Sequence, residues 1–236
     1  MERGPAVAAD MVRVEGGTLG RHEIERFDLD RHEVTVRSYE RCVAAEKCLY
    51  PSCTEGNRVC APGHECFDPL VECSALLNWG HDDRLDHPIV GVSYTDAASY
   101  CEWAGRRLPS AREWQWAAQG REQARRFPWG DEPPTPAAAC WHRDEGGTCP
   151  VESTAQDVSR DGVFDLAGNV SEWTMFAAES WGLMGDRPDQ HLVRGGSWGE
   201  LHVEPLETGY SIAVVDDVTA DDIGFRCAAD VAVASP

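Results

Sequence analysis

Glu200, His202 and Glu204 alternate along the chain, so an extended backbone would project all three side chains to one face. Two carboxylates and one imidazole make a donor set for non-heme iron, although the usual facial arrangement inverts the ratio, with two histidines and one carboxylate. The plainer reading of the same residues is a solvated acidic strand or loop carrying an exposed histidine. The other histidines, His22, His32, His64, His81, His87, His142 and His191, follow no ligand spacing. His87, ahead of Pro88, is expected to be a buried hydrogen-bonding residue. The sequence holds no phosphate-cradling G-x-x-x-x-G-K and no H-E-x-x-H, so nucleotide-binding and zinc-protease readings have no motif behind them.

Sulfur is the second source of chemistry. Ten cysteines exceed what a reduced cytosolic protein of this length usually carries, and Cys42, Cys48, Cys53, Cys60, Cys66 and Cys73 crowd one loop-rich segment. Disulfides are the first explanation. Zinc competes, but the spacing includes no C-x-x-C pair, and thiolate zinc sites normally show one. Cys140 and Cys149 bracket a Gly146-Gly147 turn and are expected to pair locally. Cys42 with Cys48 fits one helical end, while the connectivity of the remaining insert cysteines stays open.

The elements that must position these residues are short. Met11 to Thr18 alternates apolar and polar residues into a glycine pair, as a strand entering a turn does, and 27–30 and 33–36 read as further extended pieces. From Ser38 a short amphipathic helix is predicted through Tyr39, Cys42 and Val43. The insert at about 47–73 is broken by Pro51, Gly56, Pro62, Gly63 and Pro69, and reads as loop. A strand over 87–93 leads to a helix capped by Ser93 with Asp96 and closed by Gly105. Ser110 and Glu113 have capping-box spacing for a second helix that ends at Gly120. From Arg126 onward, glycine, proline and tryptophan predict irregular loops and short strands.

With 21 basic and 41 acidic residues the net charge is −20, which repels phosphate backbones and anionic lipid surfaces and argues against a nucleic-acid partner. No apolar run reaches the ~20 residues of a membrane helix. Met1 to Ala9 does not read as an intact signal peptide, and the chain is compatible with a mature segment.

Five blocks follow in a fixed order: 11–18; 87–103 with Gly105-Arg106-Arg107-Leu108-Pro109-Ser110; Phe127-Pro128-Trp129-Gly130; Asp165-Leu166-Ala167-Gly168-Asn169-Val170-Ser171-Glu172-Trp173; and Arg194-Gly195-Gly196-Ser197-Trp198 with Gly224-Phe225-Arg226-Cys227. Together they resemble the formylglycine-generating enzyme (sulfatase-modifying factor) family over roughly residues 11–230. The resemblance implies a single α+β domain of the C-type-lectin-like kind, with two main helices, short strands and much irregular structure. It also implies a disulfide between Cys101 and Cys227.

The family's enzymes oxidise a cysteine of a sulfatase to formylglycine with two copper-holding cysteines, the first six residues after the arginine of the Arg-Gly-Gly-Ser frame and the second five further on. Glu200 and Pro205 stand at those places, and neither supplies a soft donor for Cu(I) or an exchangeable sulfur. Ser197 keeps the family's serine and by itself reads as a structural turn residue. By the same resemblance Asp165, Gly168, Val170 and Glu172 occupy the ligand positions of a calcium-binding turn, a set of hard oxygens suited to that ion. A second calcium site of the family is not expected, because Ala139 replaces a side-chain ligand. The expectation is a calcium-stabilised protein- or peptide-binding domain, secreted or periplasmic, without genuine formylglycine-generating activity. The alternative is a non-heme iron oxidoreductase of the same family using Glu200, His202 and Glu204.

Overall fold

A computed structural model describes residues 10–51, 77–135, 137–143, 146–175 and 189–231. Cys53, Cys60, Cys66 and Cys73, and with them most of the predicted insert, lie outside the described residues. Among the described residues there are three α-helices, the two main ones expected and the short one predicted from Ser38. The first, α1 (Val36–Ala44), begins before the predicted Ser38 because Thr35 caps it, accepting a hydrogen bond from the Ser38 amide. Helix α2 (Tyr94–Trp103) carries the predicted capping box: Ser93 accepts from the Asp96 amide, and the Asp96 carboxylate accepts from the Ser93 amide at 3.1 Å. Helix α3 (Ala111–Ala118) repeats the device with Ser110 and Glu113. The glycines expected to stop α2 and α3, Gly105 and Gly120, both have positive φ, the backbone state that ends a helix without a Cβ penalty.

Strands β1 (Met11–Val14) and β4 (Phe27–Asp30) pair antiparallel, and β9 (Ala228–Asp230) joins β4 to close a small sheet that ties the two ends of the described chain. Between β1 and β4 lies the hairpin of β2 (Gly17–Leu19) and β3 (His22–Ile24). A second sheet, in the order β7-β6-β5-β8, is built from β5 (Ser171–Trp173), β6 (Gln190–Arg194), β7 (Ile212–Val215) and β8 (Ile223–Gly224). The segments 33–36 and 87–93, expected as strands, instead cross-brace the core. Thr35 and Pro88 form an isolated bridge and the Ile89 amide reaches Val34, but Pro88 has no N–H to extend a ladder and Gly91, at φ +74°, turns the chain away.

One apolar cluster gathers Tyr39, Tyr100, Trp173 and Phe225 between α1, α2 and the second sheet, around the buried Cys101–Cys227 disulfide. A second packs Phe27, Leu29, Trp114, Trp116 and Leu166 under α3. The Cys101–Cys227 bond joins positions 126 residues apart, and a chain-entropy treatment credits such a loop with about 5 kcal/mol. Cys140–Cys149 and Cys42–Cys48 pair as expected.

Candidate functional site

At the seam of the two sheets, charge is buried. Arg226 follows β8, flanked by Phe225 and Cys227, and is fully inaccessible together with Glu172 of β5. Its Nε and Nη2 each donate to the Glu172 carboxylate at 2.7 Å, and Nη2 also donates to the carbonyls of Phe164 and Asp165 at 2.9 and 3.0 Å. Trp114 Nε1 of α3 completes the ring, donating to Glu172 Oε2 at 2.9 Å. A buried ion pair is worth keeping only when its remaining hydrogen-bonding capacity is met, and here it is.

Three more buried carboxylates, Glu33, Asp157 and Asp165, surround this pair. Burial, and then the neighbouring Asp165 charge, push Glu33 and Asp157 well above the ordinary carboxylate range. Burial lifts Asp165 to about 6. Glu33 Oε1 and Asp157 Oδ1 are buried and meet no hydrogen-bond donor among the described residues. Four acids therefore face one guanidinium, with acceptor oxygens to spare.

The turn after β6 lies against this centre through Asn169. The Trp198 amide donates to the Asn169 carbonyl at 2.9 Å, while Asn169 Nδ2 donates to Glu33 Oε2 at 3.3 Å. Gly168 has φ +85°, and a Cβ there would meet the Cys140 carbonyl at 2.5 Å, so the turn admits no side chain at that point. Arg194, buried by α3, donates from Nη1 to the Thr208 carbonyl at 3.0 Å and from Nη2 to Gln115 at 3.1 Å. Ser197 is buried and its Oγ donates to Asp222 Oδ2 at 3.3 Å. Gly195 to Gly199 does spell the spacing of a nucleophile elbow, yet among the described residues no α-helix follows it and Ser197 is bonded to an acid rather than to a histidine, so it builds a turn. Beside it, Asp222 and Glu200 are both raised by burial, and Glu200 further by the charge of Asp222, with His202 opposing.

The family described as "Sulfatase-modifying factor enzyme 1-like domain" matches residues 2–231. The chain belongs to this family. It is 32% identical over 165 residues to the mouse protein named inactive C-alpha-formylglycine-generating enzyme 2, covering 63% of this chain and 51% of that one. It is 32% identical over 184 residues to the bovine formylglycine-generating enzyme, covering 65% and 49%. The chain thus spans about half the length of the curated relatives it matches. Among solved structures, CarF superposes with a TM-score of 0.69 at 20% identity over 95% of this chain and 99% of that one, which shows the shared fold.

Within this sulfatase-modifying-factor domain, the segment carrying Glu200, His202 and Glu204 is not a strand, which corrects the premise of the iron site. The Glu200 amide bonds back to the Ser197 carbonyl in a turn, and Glu204 opens a 3-10 helix, Glu204–Leu206, whose Pro205 cannot donate to a ladder. His202 and Glu204 are exposed and Glu200 is partly buried. Among the described residues no three His, Cys, Asp or Glu side chains converge to hold a metal ion, so the iron ligand set does not fit. That count applies equally to the calcium turn, where Asp165 is buried with its Oδ2 accepting from the Glu152 amide at 2.6 Å, and Glu33 and Asp157 each keep a buried carboxylate oxygen without a donor among the described residues. Glu172, however, shares both oxygens with Arg226.

His87 is hydrogen-bonded as expected, its Nδ1 lying 2.8 Å from Thr148 Oγ1, but it is only partly buried. Sequence reasoning missed Glu33 and Asp157 as members of the buried centre and Asp222 as the partner of Ser197. A signal existed for Arg226, a charge set in an apolar run between Phe225 and Cys227, which calls for a buried partner. For Asp157 and Asp222 the sequence carries no such mark.

Proposed function

We propose that this domain is a calcium-stabilised, non-oxidising member of its family that presents the surface around Ser197 and Glu200 to a protein or peptide. The observation that carries the reading is chemical. Where the family resemblance places a copper thiolate, the chain has Glu200, a partly buried carboxylate crowded by Asp222, and no cysteine occurs between Cys149 and Cys227. A carboxylate there can bind a donor or a cation but cannot exchange sulfur. The inactive designation of one relative supports the same reading.

Leu201, the neighbour of Glu200 in the chain, is itself exposed and offers an apolar contact beside the carboxylate. In calcium's absence the acids around Arg226 must hold protons or repel one another. The ion is assigned to Asp165 with the backbone oxygens of Gly168 and Val170, and Glu172 is shared with Arg226. The described disulfides fit an oxidising, secreted or periplasmic setting.

The test pairs two measurements on the full chain. Incubation with Cu(I), oxygen and a cysteine-containing sulfatase peptide is expected to yield no aldehyde, and any copper-dependent turnover overturns the non-oxidising reading. Calcium is expected to raise the thermal midpoint of the native chain and to do so far less in Asp165→Asn; an equal shift in both overturns the assigned ion.

A further inference from the structure

Two sulfurs remain beside the turn that carries Ser197, and their surroundings differ from those of the other described disulfides. Arg143 Nη1 donates to Cys149 Sγ at 3.2 Å. The same residue's backbone amide donates to the Trp198 carbonyl at 3.1 Å, so Arg143 is tied to the residue that follows Ser197. Asn169 fastens both ends of the loop, giving its amide to the Cys140 carbonyl at 2.7 Å and accepting the Cys149 amide on Oδ1 at 2.9 Å. Cys149 is partly exposed and Cys140 buried, whereas Cys101, Cys227 and Cys42 are completely inaccessible.

We propose that Cys140–Cys149 is a thiol–disulfide exchange site, with Cys149 as the sulfur that meets the partner and a dithiol as the co-reactant. Three physical features converge on it. A guanidinium on the sulfur stabilises the thiolate and so favours the reduced form. The accessible sulfur gives an incoming thiolate a target, which a buried pair does not. The positions are 9 residues apart, against 126 for Cys101–Cys227, so closing this bond removes much less chain freedom than the long-range bond does and the oxidised form gains less from it; Cys42–Cys48, at 6, shares this feature but has a completely inaccessible Cys42.

The exchange balances in two displacements. A thiolate of the dithiol attacks Cys149 Sγ, the Cys140–Cys149 bond breaks, and Cys140 leaves as a thiolate that takes up a proton. The second thiol of the reductant, deprotonated, then attacks its own sulfur in the mixed disulfide, expelling Cys149 as a thiolate beside Arg143. The dithiol is oxidised to a disulfide by the two electrons that the protein pair gains. In this direction the oxidised pair accepts electrons from a dithiol partner docked at the Ser197 turn; run in reverse, the reduced pair donates two electrons to a partner's disulfide. This inference does not depend on whether the domain binds calcium or lacks copper chemistry.

The full oxidised chain is equilibrated with graded dithiothreitol, alkylated, and read cysteine by cysteine by peptide mass spectrometry. Cys140 and Cys149 are expected to open at a dithiol concentration at least about tenfold below that which opens Cys101–Cys227, a difference of about 30 mV for a two-electron couple. In the reduced protein the rate of Cys149 alkylation against pH is expected to shift to higher pH in Arg143→Gln and to return toward the parent in Arg143→Lys. Opening of Cys140–Cys149 together with or after Cys101–Cys227 overturns the proposal, and so does an unmoved pH profile in Arg143→Gln. Because Arg143 is exposed, its replacement leaves the fold in place, and an unchanged circular-dichroism melt verifies this before the thiols are read.

Discussion

The centre around Arg226 and the turn from Ser197 to Pro205 lie close together and obey opposite rules. In the centre every direction of the guanidinium is fixed: Glu172 is held by two bonds to Arg226 and one from Trp114, and four carbonyls take the remaining donors. The turn instead ends in exposed His202 and Glu204, with a partly buried Glu200 beside Asp222. Loss of one partner in the centre strands the other, so each of its residues is held in place by the rest, whereas a side chain of the turn that changes meets water.

The sharpest way to break this comparison is to remove the guanidinium. Arg226→Met leaves Glu172 and its neighbouring acids without a counter-charge and is expected to cost about 3–5 kcal/mol, the usual penalty for orphaning one member of a buried pair. Urea unfolding measures it. A cost under about 1 kcal/mol would mean that the acids were already neutral and that the pair contributes little.

The next effect separates the pair from its surplus acids. Asp165 is raised to about 6 by burial, so the folded chain binds a proton that the unfolded chain has released at intermediate pH. A raised folded value stabilises fully below the unfolded carboxylate range and is lost as pH rises through about 6. In chelator, stability is expected to fall by about 2–3 kcal/mol between pH 4 and pH 7 from this group, with Glu33 and Asp157 adding in the same direction. Asp165→Asn should flatten that slope, and calcium should offset it in the parent. A parent chain whose stability is flat in chelator over this range contradicts the assignment of unbalanced charge to this centre.

How much of this was readable beforehand follows the same division. The caps of α2 and α3 were legible because Ser93 with Asp96 and Ser110 with Glu113 are local devices, complete within four residues. Ser110→Ala is expected to cost about 1 kcal/mol through loss of the α3 cap. The Cys101–Cys227 bond was legible through family resemblance alone, since no local pattern links positions 126 apart. Glu33 and Asp157 were not legible, because their meaning depends on Asp165 and Arg226 arriving from distant parts of the chain. The Glu200-His202-Glu204 pattern misled for the converse reason. Alternation places three side chains on one face only if the backbone is extended, and Pro205 with the Ser197–Glu200 turn bends it.

The smallest expected effects sharpen the surface half of the comparison. His202→Ala removes an exposed side chain and should change stability by less than about 0.5 kcal/mol. Glu200→Gln should stabilise slightly at neutral pH, because Glu200 and Asp222 repel one another once both are ionised, and the gain should vanish in acid as they take up protons. The sign is the informative part. Were Glu200 instead holding a structural cation or an ion pair, Glu200→Gln would destabilise the chain and the loss would grow with pH. Thermal melts of both variants at pH 5 and pH 8, with and without calcium, decide between an open acidic rim and a structural anchor at this turn.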